Sequence, residues 1–245
     1  MEVALLAAVV LLAFVVEAAA GFGGTVVTVS LASHAMPVGD VLARFIPVNV
    51  ALSLYMVVRH RAHVSGKLLF GRILPFMGVG VVAGFLTARA ASPTWLKIVF
   101  GAFVAVLSVL ELRALRRGRR VAEPLSGLVA GAALVGAGVL HGLFACGGPL
   151  AVWVVGRDVD DKGAFRATLS ALWLVLNLAL VAGFVVDHKV TASTLRESAV
   201  LVPALVIGIA AGERVHARLS AERFRVAVFS LLLVASLVLL ARSLA

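Results

Sequence analysis

Long apolar stretches recur along nearly the whole sequence, and they constrain its fold more than any other feature. Hydrophobic residues make up 62% of the 245 residues and charged residues only 14%, with a mean hydropathy of +1.11. Most stretches approach the roughly 20 residues that cross a bilayer as a helix. An ordinary soluble domain is excluded, and a membrane β-barrel would show short alternating segments. The sequence therefore predicts an all-α polytopic membrane protein.

The formal net charge of +10 does not indicate nucleic-acid binding. The basic residues lie in short loops between apolar stretches, as the positive-inside rule predicts. Binding of single strands would require aromatic side chains among these charges, and the basic loops carry none. We therefore expect a lipid bilayer as the partner, no nucleic acid, and a multi-pass protein of the bacterial cytoplasmic (inner) membrane.

Two of the apolar stretches are too long for one simple crossing, and each contains a glycine pair. These pairs are Gly23-Gly24 and Gly147-Gly148. Exposed backbone polar groups are costly in lipid, so a break within a helix needs a reason. Matched interruptions in two halves indicate a transporter's binding site. We predict that each stretch forms two half-length helices, either as a re-entrant hairpin or as a discontinuous crossing.

The two halves of the sequence also repeat one another. We predict two homologous repeats, residues 1–118 and 119–245, each with a glycine-broken segment followed by three transmembrane helices. Single-crossing broken segments give parallel repeats, whereas re-entrant segments give inverted repeats with both termini outside. The inverted arrangement places more of the 22 basic residues in the cytoplasm, so we favour it. Further matches are Pro75, Gly80 and Gly84 with Pro203, Gly208 and Gly212.

A helix that restarts at a glycine pair exposes free N–H groups at its positive end, and these favour an anion. We therefore predict that an anion binds between the two breaks. The alternative is that glycines only allow close helix packing, which we expect for Gly80/Gly84, Gly138/Gly142 and Gly208/Gly212. The predicted binding residues at the breaks are Gly21, Phe22, Gly23, Gly24, Thr25, Thr28, Cys146, Gly147, Gly148 and Pro149.

Polar residues within the apolar stretches are further candidates, because ionisable groups at membrane depth are usually functional. Glu17 and His141 occupy equivalent positions before the two breaks, so they are candidates for proton coupling or for lining a polar vestibule. Arg44 is assigned to the substrate's charge or to an interfacial anchor. Asn49 is a binding candidate, although both Asn49 and Asn177 suit hydrogen bonds between helices.

The sequence carries no HExxH, GxSxG or CxxC motif, and Cys146 is its only cysteine. We therefore predict no enzyme activity, no catalytic residue, no metal site and no cofactor. Cys146 lies directly in the second break, where it is either a functional thiol or a small buried residue.

The sequence resembles the TauE/SafE family of transmembrane sulfite exporters over essentially its whole length. The resemblance rests on the duplicated layout, on residues 21–24 and on residues 142–150. It departs from the family at the first break, where Thr25 and Val26 follow the glycine pair in place of a further glycine, and no proline occurs before Pro37. The resemblance implies outward transport of sulfite, sulfonates or related anions.

These observations predict a secondary transporter that exports a small sulfur-containing anion. An anion channel and a membrane protein that assists sulfur metabolism are the alternatives. Coupling to protons and assembly as a homodimer are additional hypotheses.

Overall fold

The computed structural model contains only helices and connecting turns in the residues that it describes, which are 2–117, 125–159, 161–218 and 221–244. The predicted all-α class is confirmed for this part of the chain. Within the described residues, six helical segments are long and apolar enough to cross a bilayer, or seven if α10 and α11 count together. The helices are α1 (Glu2–Ala20), α2 (Gly24–Ala32), α3 (Val38–His60), α4 (Gly66–Leu68), α5 (Leu74–Ala90), α6 (Pro93–Arg116), α7 (Gly127–Phe144), α8 (Gly148–Asp158), α9 (Lys162–Val186), α10 (Ala192–Val200), α11 (Val202–Arg218) and α12 (Ala221–Leu244), with a 3-10 turn at Arg61–His63 and a π-helical turn at Leu69–Ile73.

Short polar residues begin three of the long helices. Side-chain oxygens of Ser92, Ser126 and Asp161 each accept a hydrogen bond from the backbone N–H three residues later, at 3.2, 3.4 and 2.7 Å. Each bond satisfies one of the N–H groups that a helix start leaves without a partner. The starts of α6, α7 and α9 therefore follow from their capping residues.

The two helices of each broken stretch differ in length, contrary to the expectation of two half-length helices. α1 and α7 have 19 and 18 residues, whereas α2 and α8 have 9 and 11. At 1.5 Å per residue, the longer helices measure about 27 Å, close to the roughly 30 Å of a bilayer's hydrocarbon core. The shorter helices reach only about half that depth. The glycine pair therefore lies about two-thirds of the way along the apolar stretch rather than at its middle.

The chain divides into two compact units, and each combines helices from both halves of the sequence. The first unit comprises Met1–Leu42, Ala91–Ala122 and Val200–Ala245, and the second comprises Ala43–Ala90 and Glu123–Ala199. The compact units thus cut across the two proposed repeats, because helices of one half pack against helices of the other. The repeat boundary near residue 118 stays a prediction about the sequence.

In the second unit, α5 and α7 approach each other closely at glycines. A Cβ atom on Gly80 would overlap the carbonyl oxygen of Val135, and a Cβ atom on Gly84 would overlap that of Val139. Glycine is therefore required at both positions, because any side chain would force the two backbones apart. The facing glycines of α7, equally restricted, are Gly138 and Gly142.

In the first unit, α1 and α11 pack in the same way. A Cβ atom on Gly208 would lie 2.5 Å from the Cβ of Phe14, and one on Gly212 would lie 2.6 Å from the Cβ of Ala18. Small residues at four-residue spacing allow such close approach of membrane helices. The prediction that these glycine pairs serve helix packing is confirmed in both units.

The two helix pairs correspond residue by residue. In the first unit, the carbonyl oxygens of Leu11 and Val15 lie 3.3 and 2.7 Å from the Cβ positions of the two α11 glycines. The sequence repeat aligns these residues with Val135 and Val139, whose carbonyls approach the α5 glycines. The two close contacts therefore involve residues that the predicted repeat aligns with one another.

Candidate functional site

Residues 145–147 form the non-helical break between α7 and α8. Ala145 has a left-handed backbone conformation (φ 53°), which is uncommon for a residue other than glycine. Its N–H donates to the carbonyl oxygen of His141 at 2.7 Å and so ends α7. A Cβ atom on Gly147 would overlap the carbonyl oxygen of Ala137 and lie 3.0 Å from the Cβ of His141. The break therefore lies directly against the side of α7.

The start of α8 has the features of an anion site. Pro149 lies in its first turn, and no side chain in the described residues caps its N–H groups. Cys146, Gly147 and Gly148 are buried. Uncapped N–H groups and the positive end of the helix dipole attract an anion. The structure thus brings the four predicted residues of the second break together at one helix start.

His141 lies beside this break with its side chain almost fully buried, at 1% exposure. The imidazole ring stacks on the indole of Trp173 from α9, with centroids 5.6 Å apart and planes 13° from parallel. Neither ring nitrogen has a hydrogen-bond partner of ordinary geometry among the described residues. Asn177, one turn beyond Trp173 on α9, is the polar side chain next to the ring.

Asn177 joins α9 to α3 in the second unit. Its side-chain Nδ2 donates to Oδ1 of Asn49 at 3.0 Å, and both side chains are buried. The predicted hydrogen bond between helices is therefore confirmed for this pair. Among the described residues, no group donates to Oδ1 of Asn177.

The first break, between α1 and α2, depends on glycine backbone conformations. Gly21 and Gly23 have φ angles of 82° and 99°, a region that residues with a Cβ enter only at a cost. Gly23 precedes the first residue of α2, and no side chain in the described part of the chain caps this helix. Phe22 is half-buried between the two glycines.

Glu17 lies against the start of α2. A Cβ atom on Gly24 would overlap Oε2 of Glu17 and lie 3.0 Å from its Cβ, so only glycine leaves room for the carboxylate. The Glu17 side chain is 8% exposed. Glu17 and His141 therefore each lie beside the break of their own unit, one as a carboxylate and the other as an imidazole.

The hydroxyl of Thr28 is directed to the backbone rather than left free for a ligand. It donates to the carbonyl oxygen of Gly24 at 2.9 Å, the bond to the preceding turn that threonine often makes within helices. Thr25 is buried in the first turn of α2. Substrate binding by Thr28 stays a prediction, and it requires that this bond be exchanged.

Arg44 has a protein partner. Its guanidinium forms a salt bridge with Glu197 of α10, and its carbonyl oxygen accepts a hydrogen bond of 2.8 Å from Ser198 Oγ. The carboxylate of Glu197 therefore balances the positive charge of Arg44, which we predicted to meet the substrate or to anchor the chain at the interface. In this state the salt bridge joins α3 to α10 within the second unit, and an anion would have to compete with Glu197 for the guanidinium.

Sequence reasoning missed two residues of this region. Trp173 could have been found from its spacing, because it lies four residues before Asn177 and so on the same helix face. Nothing in the sequence pointed to Glu197, which lies 153 residues from its partner.

Comparison with known proteins places the chain in a family. The profile described as Sulfite exporter TauE/SafE matches residues 6–239. The chain belongs to the TauE/SafE sulfite exporter family. The resemblance inferred from the glycine-pair motifs is thereby confirmed, as is the assignment to membrane transport proteins.

The description of a similar protein is consistent with membership in the TauE/SafE family. A protein of Comamonas testosteroni, described as probable inner membrane transporter protein TsaS, is 28% identical over 170 residues, covering 68% of this chain and 69% of the relative. Its description agrees with the predicted location in a bacterial inner membrane. No solved structure matches the chain significantly.

Proposed function

We propose that the protein is a secondary transporter that exports small sulfur-containing anions, such as sulfite or organosulfonates, across the bacterial inner membrane. Membership in the TauE/SafE family and the description of the relative support transport in that membrane. The apolar helices support a multi-pass protein. With an inside-negative potential, export of an anion is favoured by about 2.3 kcal/mol per charge per 100 mV, so the membrane potential alone can drive it.

The proposal includes inverted repeats, and two salt bridges of the second unit support them. Arg72, close to the basic loop after α3, pairs with Asp158 at the end of α8 (Nη1–Oδ2 2.9 Å). At the other end of α5, Arg89 pairs with Asp187 just after α9 (Nε–Oδ2 2.9 Å). Re-entrant broken segments put each pair on one side of the membrane, whereas single crossings would separate both pairs.

The first unit supports the same arrangement independently. His34, which follows α2, lies within electrostatic reach of Lys97 near the start of α6 and of Arg242 near the end of α12. Inverted repeats place all three residues outside. Parallel repeats would put Arg242 in the cytoplasm, across the bilayer from the other two.

The start of α8 is the proposed anion site, and this observation carries the functional proposal. Cys146, Gly147 and Gly148 around it are buried, and no described side chain caps the N–H groups of its first turn. Cys146, Gly147, Gly148 and Pro149 shape the site without bringing a charge of their own. An anion of a few atoms can hydrogen bond to these N–H groups without a lysine or arginine.

The first break is proposed as a second anion site that Glu17 controls. An ionised Glu17 beside Gly24 supplies the negative charge that the start of α2 attracts, and protonation of Glu17 frees that position for the substrate. Residues 21–25 and Thr28 would then contact the anion. Proton coupling through Glu17, with His141 as its counterpart, follows from this exchange.

Cys146→Asp, compared with Cys146→Asn, tests the proposed site. The two side chains have the same shape, so the pair isolates the effect of a negative charge beside α8. Flux of labelled sulfite into proteoliposomes should saturate in the wild type. Its half-saturation concentration should be at least about tenfold higher in C146D than in C146N, equivalent to about 1.4 kcal/mol of binding energy. The same pair of substitutions at exposed Ser92 should have no such effect.

Equal half-saturation in C146D and C146N would place the site elsewhere. Flux that does not saturate would favour the channel alternative, and wild-type protein that moves other anions but no sulfur anion would disprove the substrate class. In the same assay, a pH gradient should alter wild-type flux but not that of Glu17→Gln, which cannot release a proton. An unchanged response in E17Q would remove Glu17 from coupling.

A further inference from the structure

A buried polar cluster in the second unit is not fully hydrogen bonded. It consists of Asn49 on α3, His141 on α7 and Asn177 on α9, whose side chains are 1%, 1% and 2% exposed. Polar groups buried this deeply almost always have partners, and an exception requires an explanation such as a bound molecule. The surrounding helices are strongly apolar, which makes an unsatisfied group there more costly still.

The unpartnered atoms of the cluster include more hydrogen-bond acceptors than donors. Three of its atoms lack partners among the described residues: Nδ1 and Nε2 of His141, and Oδ1 of Asn177. An uncharged imidazole has one donor nitrogen and one acceptor nitrogen, whichever tautomer it adopts, and an amide oxygen only accepts. The three atoms therefore comprise one donor and two acceptors. Within the cluster the imidazole N–H can donate only to Oδ1 of Asn177, and the other ring nitrogen then remains an acceptor. With its Oδ1 turned to the ring, Asn177 directs its Nδ2 to Asn49 instead, so the partner that this ring nitrogen lacks is a donor.

This cluster adjoins the second break. The Cβ of His141 lies 3.0 Å from the Cβ position of Gly147, and the carbonyl oxygen of His141 holds the N–H of Ala145. A small molecule at the start of α8 therefore lies close to the residue that carries two of the unpaired atoms.

We propose that the cluster of His141, Asn177 and Asn49 recognises a hydrogen-bond donor on the transported anion. The α8 start binds the negatively charged oxygens, and the cluster accepts an N–H or O–H from the same anion. Asn49 is a positioning residue, because its Oδ1 holds the Asn177 amide in the orientation that leaves Asn177 Oδ1 available. This inference rests on the proposed function and narrows it to oxyanions that carry a donor.

Sulfamate and methanesulfonate form a matched pair of probes. Both are singly charged, tetrahedral and similar in size, but sulfamate carries an NH2 group where methanesulfonate carries a methyl group. One additional hydrogen bond in a buried site should lower the half-saturation concentration of sulfamate about five- to tenfold below that of methanesulfonate. Both are measured as competitors of labelled sulfite in proteoliposomes.

Asn177→Leu should abolish this preference, because leucine fills a similar volume without an acceptor. Ser108→Ala is the matched control: Ser108 is also buried with no partner for its hydroxyl in the described residues, but it lies in the first unit. S108A should keep the wild-type preference. If N177L does not fold, a fluorescence measurement takes the place of this variant. In Trp95→Phe/Trp153→Phe protein, Trp173 is the remaining tryptophan, so its emission reports on the cluster. Sulfamate should then alter the emission at a lower concentration than methanesulfonate.

Equal competition by the two probes in wild-type protein would overturn the inference, because water would then be sufficient for the cluster. A preference that persists in N177L, or equal fluorescence responses, would also overturn it. These outcomes leave the proposed function intact as long as labelled sulfite is transported. Absence of transport for sulfite and both probes would instead disprove the proposed function.

Discussion

At the scale of single residues, the two breaks differ in the side chain beside them. Glu17 supplies a carboxylate at the start of α2, whereas His141 supplies no negative charge at the start of α8. A helix start attracts an anion in either case. In the proposed mechanism, an ionised Glu17 therefore occupies the first start, whereas the second start receives the transported anion. The proposal thus assigns different roles to the two breaks on the basis of one difference, glutamate or histidine, at positions that the predicted repeat aligns.

His34, outside the membrane-spanning helices, gives a pH prediction for the first unit. Burial and the nearby Arg242 and Lys97 lower its pKa, and a hydrogen bond with the backbone of Ala235 offsets this only in part. Because the pKa of His34 is lower in the folded protein, the unfolded chain binds a proton on this ring more readily below about pH 6.5. Acidification therefore lowers the free energy of unfolding. We compare the apparent Tm in detergent at about pH 7.5 and about pH 5.5, on either side of the ordinary histidine pKa of about 6.5. The Tm should fall less between these two pH values in His34→Gln than in wild type. An identical fall would remove His34 as a cause.

At the scale of elements, the chain is irregular just before the proline of α5 and just before the proline of α11. A π-helical turn at Leu69–Ile73 precedes Pro75 of α5, and the helix is interrupted at Leu201 before Pro203 of α11. Proline lacks the N–H that a regular helix uses four residues back, so the preceding turn must rearrange. The two helices accommodate their prolines differently: the chain before Pro75 widens a turn, and the chain before Pro203 interrupts the helix.

The α5–α7 contact predicts opposite effects for two neighbouring glycines. Gly80→Ala should lower the stability by about 1–3 kcal/mol, because its methyl group overlaps the backbone of α7. Gly78→Ala, two residues earlier, has no atom within 4 Å of its Cβ position and should be neutral or stabilising by up to about 1 kcal/mol. Thermal unfolding of both variants in the same detergent decides the matter. Equal effects would mean that α5 and α7 are not in close contact.

At the scale of the whole chain, charged residues at the helix ends of each unit bear on the proposed topology. Within the second unit, the basic loop after α3 and the end of α8 share a side, and the ends of α5 and α9 share the other. The first unit groups His34, Lys97 and Arg242 at one end. Both groupings agree with the inverted arrangement that the distribution of basic residues favours.

Single cysteines introduced into a Cys146→Ala background test this topology. Ala62→Cys and Val159→Cys should react with a membrane-impermeant maleimide only after the cells are opened. Thr94→Cys and Lys189→Cys should react in intact cells, because inverted repeats place both residues outside. Labelling of position 159 from outside together with position 189 from inside would establish parallel repeats instead.

The helical class, the two interruptions and the packing role of the glycine pairs could all be predicted from the sequence. These features depend on local properties: hydrophobic length, missing Cβ atoms and four-residue spacing. The partner of each helix could not be predicted, because helices apolar on every side do not show which face meets which neighbour. The salt bridge of Arg44 with Glu197 and the stacking of His141 on Trp173 depend on those partners. The relative lengths of α1 and α2 were missed because glycine marks a break but not its depth.

The pairing of α1 with α11 and of α5 with α7 has a consequence for how such a protein arose and is made. Each compact unit takes essential helices from both halves, so a chain half as long cannot complete either unit. Two copies of that shorter chain can complete both units, because the first helix of each copy can pack against the glycine-bearing helix of the other. For the predicted repeats, this pairing implies an ancestor that assembled as an obligate pair of subunits. During synthesis today, the glycine face of α5 must wait in the membrane until α7 leaves the ribosome.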